Sequence, residues 1–120
     1  MNELSALERA VLHEIEAHTS EPILGLAQQI EAARVVAREN TGSGFFTTFD
    51  VGLSPLLEGV RSPIGFVMAT IDGLEHGMGF LLWIRNDRVY QLEGYSNAGE
   101  DTSGLNLSCV ESRDVVSVGQ

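Results

Sequence analysis

The stretch IGFVMATIDGLEHGMGFLLWIRNDRVYQLEGYS, Ile64 to Ser96, decides the fold. Ile64–Asp72 is rich in β-branched and apolar residues, as strands are. Gly73–Gly77 is a connection, and Gly79–Arg85 is a second strand. Asn86-Asp87 then reads as a two-residue hairpin turn, because both side chains tolerate the positive φ that such turns demand, although glycine suits the second position better. Arg88–Tyr95 returns antiparallel. In the middle strand the Phe80, Leu82, Ile84 set and the Leu81, Trp83 set are both apolar, which predicts a strand covered on both faces or central in its sheet.

Upstream, the pattern changes period. Glu3–His18 is an amphipathic helix by the spacing of Leu4, Leu7, Val11 and Ile15, with Ser5 and Glu8 at the separation of a capping box. A second helix is expected from Thr19-Ser20-Glu21-Pro22, where a hydroxyl cap, an acidic first turn and an early proline coincide. Its apolar stripe is Ile23, Leu26, Ala27 and Ile30. Residues 33–39 fit either a continuation of that helix or a strand. The turn sequence Asn40–Gly44 that follows favours the strand, and Phe45–Val51 is a further one. Gly52–Pro63, which contains Pro55, Gly59 and Pro63, is a surface loop. After Ser96 the chain is polar, with weak strand character at Val115, Val116 and Val118.

Helices first and a strand meander afterwards predict an α+β fold: two N-terminal helices packed on one face of a mostly antiparallel sheet of four to five strands. The chain of 120 residues fits one domain, divided into a helical part (1–31), a sheet part (33–95) and a polar C-terminal segment (96–120).

Composition narrows the functions. Seventeen acidic residues face seven basic ones, a formal charge of −10. Such a surface repels phosphate backbones and anionic lipid, which argues against nucleic-acid and membrane partners, and would attract a basic protein; keeping a small domain in solution is the commoner use of such acidity. All seven basic residues are arginine, which removes lysine Schiff-base chemistry and a P-loop lysine together. One cysteine, Cys109, leaves no internal disulfide. No basic-then-apolar leader follows Met1, so a cytoplasmic location is expected.

Motifs for catalysis are weak. His13-Glu14 and His18 resemble a zinc-protease helix, but histidines five apart point about 140° from each other on a helix. The glycine pairs at Gly42/Gly44 and Gly77/Gly79 lack the third glycine of a dinucleotide loop. No metal, cofactor or catalytic residue is therefore assigned. The candidate binding residues are Asp72, Glu75 and His76 in one connection, with Glu93 and Tyr95 on a later strand. Histidine beside carboxylates is the raw material of acid–base or metal chemistry, while a plain polar turn is the commoner use of such residues. Glu93 needs water or a partner, for which Arg38, Arg85 and Arg88 are available.

Three pieces, Thr41–Thr47 (T-G-x-G-F-F-T), Gly73–Leu81 (G-x-E-H-G-x-G-F-L) and Leu92–Tyr95 (L-E-G-Y), resemble a group of small bacterial proteins of uncharacterised function. The resemblance runs from about Arg34 to Gly99 and implies no activity. The chain departs from that pattern after Tyr95, where Ser96-Asn97-Ala98-Gly99 replaces a more aromatic continuation. Three classes of function remain. A binding or inhibitory (immunity-type) module for a basic partner ranks first, because acidity is global and catalytic signatures are absent. The others are a small-molecule or enzymatic site built on Glu75, His76 and Glu93, and a self-associating subunit, such as a homodimer, joined at a sheet edge.

Overall fold

The computed structural model describes residues 3–19 and 21–118. Helix α1 (Ala6–Ala17) begins at Ser5, whose Oγ accepts the Glu8 amide at 3.0 Å while Glu8 Oε1 accepts the Ser5 amide at 2.7 Å. This is the expected capping box. Leu7, Val11, Leu12 and Ile15 are buried along one face of the helix, and α1 packs on strands β3 and β6. Helix α2 (Leu26–Ala32) starts later than expected. The chain turns at Ile23–Leu26 through Gly25, which has φ of 89°, and this glycine, not a hydroxyl, precedes the first turn. The expected cap residue Ser20 lies outside the described residues. No described helix is long and apolar enough to cross a membrane.

Six strands follow: β1 (Arg34–Asn40), β2 (Gly44–Asp50), β3 (Ile64–Ile71), β4 (Met78–Arg85), β5 (Arg88–Ser96) and β6 (Ser112–Ser117). They form one antiparallel sheet in the order β1-β2-β5-β4-β3-β6. The α+β class and the antiparallel sheet agree with the sequence reading, and residues 34–40 are a strand. The strand number does not agree, because β6 adds a sixth from the polar C-terminal segment. Its backbone pairs with β3, and the Ser117 amide and hydroxyl both donate to Glu14 of α1. β4 lies inside the sheet as its two apolar sets require, and Asn86 and Asp87 both have positive φ at the hairpin turn.

Both helices, the loop around Leu57 and the segment around Leu107 cover one face of this sheet. Beneath them Phe45, Phe49, Val67, Met78, Phe80, Leu82 and Leu92 are buried, and the Phe45 and Phe80 rings meet at 6.1 Å between centroids. Among the described residues no element covers the opposite face. The molecule is accordingly thin, 37 × 33 × 19 Å.

Candidate functional site: an aromatic and acidic patch on the open sheet face

Strand alternation sends every second residue to the uncovered face. Register then builds rows across it. One row runs Glu39–Phe46–Glu93–Leu81 through four adjacent strands, since Glu39 pairs with Phe46, Phe46 with Glu93, and Glu93 with Leu81. A neighbouring row brings Tyr95, Gly79, Met68 and Val116 together. Gly79 is required there: a Cβ at that position would strike the Tyr95 ring, which lies across the glycine and shields its backbone.

Glu93 is the chemical centre of this surface. It is half-buried, with Phe46 and Leu81 as its cross-strand neighbours. Its Oε1 accepts the indole N–H of Trp83 at 2.9 Å, and its other oxygen has no protein donor among the described residues. None of the arginines considered from the sequence serves it. Arg38 is committed to Glu8 on the covered side at 2.8 and 2.9 Å, and Arg85 lies 4.9 Å over the Tyr90 ring. Arg88 pairs across the hairpin with Arg85. Thr48 and Gln91 of the same face bond to each other at 3.1 Å. The patch thus sets aromatic and aliphatic surfaces around a carboxylate with one oxygen bonded to Trp83 and the other open to solvent.

The remaining sequence candidates lie elsewhere. Asp72, Glu75 and His76 are in the β3–β4 connection. Glu93 pairs with Leu81, five positions along from His76, which is about 16 Å at strand spacing. The five residues therefore divide into two groups, with Glu93 and Tyr95 on the open face and the others at its end. In the connection the backbone does the bonding. The amides of Glu75 and His76 donate to Glu100 at 2.8 and 2.7 Å, Asn97 Nδ2 donates to the His76 carbonyl at 2.9 Å, and the Asp72 amide donates to the Glu111 carbonyl at 2.9 Å. The two amide donors hold the Glu100 carboxyl below its ordinary range. His76 Nε2 and the Glu75 carboxylate are 4.0 Å apart and both exposed, too far for the hydrogen bond by which a carboxylate orients a catalytic imidazole. Among the described residues no group of three or more histidine, cysteine, aspartate and glutamate side chains gathers as metal ligands do.

Sequence reasoning missed Phe46, Trp83 and Glu39 as members of the patch. Only register brings them to Glu93, and the one local signal was the second apolar set of β4, Leu81 and Trp83, which needed something to face. No protein-family model, curated protein or solved structure matches this chain.

Proposed function

We propose that this protein is a binding module for a basic protein partner, and that the open sheet face takes a cationic segment of that partner. The observation that carries this reading is Glu93: a half-buried carboxylate beside Phe46, Leu81 and Trp83, with one oxygen bonded to the indole and the other open to solvent. An arginine or lysine laid across Phe46 would meet a ring face and carboxylates on both sides, Glu39 and Glu93. Cation–π contact contributes about 0.5–2 kcal/mol, more as the site is desolvated, and the carboxylate adds a charge-assisted hydrogen bond.

Two further features support a basic protein over other occupants. The broad dimensions of the molecule, 37 × 33 Å, accommodate the roughly 800 Å² that one partner contributes to a standard interface. A formal charge of −10 speeds encounter with a cationic surface and opposes face-to-face pairing of two copies. Inhibition of the partner, as in an immunity protein, is the finer form of this reading. Self-association at a sheet edge has less support, because both edge strands carry bulges: β1 at Val36 and β6 at Asp114, whose φ is 53°. Bulges and charged residues are devices that protect edges from pairing. A combined Glu75, His76 and Glu93 site has less still, given the separation along β4.

Trp83 is the only tryptophan, so one indole N–H resonance reports on the patch. Titration with octa-arginine is expected to move that resonance saturably, with affinity falling as salt rises and strongly reduced in Glu93→Gln. A resonance that stays in place while octa-arginine binds elsewhere, or an unchanged affinity in Glu93→Gln, would overturn the assignment.

A further inference from the structure

A cleft of about 620 Å³ opens on the other side of the molecule, between the end of α1, the α1–α2 connection and the β2–β3 loop. That volume falls in the range of about 300–1,000 Å³ typical of small-molecule sites. Its floor is apolar, formed by Ile15, Ile23, Val60 and Ile64. Gly65 lets the floor close: a side chain there would come within 2.7 Å of Ile15. A large apolar residue, Leu24 at 79% exposure, stands at the lip. An exposed large apolar side chain beside an apolar cleft marks a surface awaiting cover.

The charges in the lining choose the kind of cover. Glu21 comes from the α1–α2 connection and Glu58 from the β2–β3 loop. Neither has an ion-pair partner among the described residues. Among the described residues Arg61 is the one permanent cation in the lining. His18 is turned to Glu14, with Nδ1 at 3.0 Å from the carboxylate. Glu14 is itself satisfied by the Ser117 amide and hydroxyl at 2.9 and 3.1 Å. Two uncompensated carboxylates against one guanidinium, within the field of a chain carrying −10, favour a cation at the mouth and disfavour an anion.

We infer that this cleft binds an amphiphilic ammonium ion, with the apolar body on the isoleucine floor and the charged head between Glu21 and Glu58. The site is separate from the open sheet face and does not depend on the reading of that face.

n-Octylammonium and octanoate share one apolar body and differ in charge, so they make the test, applied to the full chain by calorimetry and backbone-amide NMR. Octylammonium is expected to bind saturably and to shift the amides of Leu24, Val60 and Phe66, with the Trp83 indole unmoved. Octanoate is expected to bind at least tenfold more weakly. The double variant Glu21→Gln, Glu58→Gln changes only exposed side chains and should fold normally, which its amide spectrum checks; in it the affinity for octylammonium should drop about tenfold. Equal binding of octanoate, undiminished binding in the double variant, shifts centred on Trp83, or no saturable binding would each overturn the inference.

Discussion

Glu8 ties three parts of the molecule through one carboxylate that is 1% exposed. It caps α1, accepts Arg38 of β1 at 2.8 and 2.9 Å, and accepts the Thr47 hydroxyl of β2 at 2.6 Å. Burial alone would raise its pKa. The hydrogen bonds from Arg38, Thr47 and the Ser5 amide, with the nearby guanidinium charge, outweigh burial and hold the carboxyl below its ordinary value. The same pairing raises the pKa of Arg38. Removing one partner of such a pair strands a buried charge, so Arg38→Ala is expected to cost about 3 kcal/mol at pH 7, the low end of the range because Arg38 keeps some solvent. The sign with pH follows from the direction of the shift. A carboxyl depressed in the folded state contributes in full above the unfolded value of about 4.3 and loses that contribution as pH falls through the folded value. The gap between wild type and Arg38→Ala should therefore narrow below about pH 4, as read by urea unfolding at several pH values. A gap independent of pH would mean that Glu8 is not ionised in this role.

At the scale of elements, Gln29 does what no motif announced. Fully buried on α2, it donates Nε2 to the carbonyls of Pro55 and Asp87 at 2.7 and 3.1 Å and accepts the Val89 amide on Oε1 at 2.7 Å. It thereby joins a short helix, the β2–β3 loop and the β4–β5 hairpin. Gln29→Ala leaves the Val89 amide and the Pro55 carbonyl without these partners, while the Asp87 carbonyl keeps the Leu57 amide at 2.9 Å, and should cost about 2–3 kcal/mol in chemical unfolding. Asp87 at the hairpin has φ of 58°. Glycine there relieves about 1–2 kcal/mol of left-handed strain, against about 0.5–1 kcal/mol for its extra freedom when unfolded. Asp87→Gly is thus expected to stabilise by about 0.5–1 kcal/mol, seen as a higher urea midpoint with an unchanged slope. The hairpin was legible because its turn chemistry is local. β6 was nearly invisible because Ser112, Arg113 and the bulge at Asp114 break its alternation, and what holds it is β3 and Glu14, distant in sequence.

Over the whole molecule, charge and layering set the behaviour. Seventeen carboxylates against seven guanidinium groups repel one another in the compact state. Raising ionic strength from about 0.01 to 1 M shortens the Debye length from about 30 to 3 Å. Calorimetry should show the unfolding temperature rising over that range, and a falling temperature would indicate that attractive pairs dominate. The sheet has one covered and one open face because two helices and two loops suffice to cover only one.

Sequence by itself determined the helix cap at Ser5, the meander from β3 to β5, the Asn86-Asp87 turn, the antiparallel α+β class and the acidity of the surface. Each depends on residues near in the chain or on simple sums. Tertiary structure decided the sixth strand, the glycine start of α2, the Gln29 and Glu8 networks, the cleft beside α1, and the division of the five candidate residues into two places. These depend on register and packing between segments tens of residues apart, where the energy lies in backbone pairing and buried polar satisfaction. Residue types at any one position do not record such partnerships. Glu93 shows the difference: its need for a partner was legible from its place in a strand, and only the register of β4 against β5 made that partner Trp83.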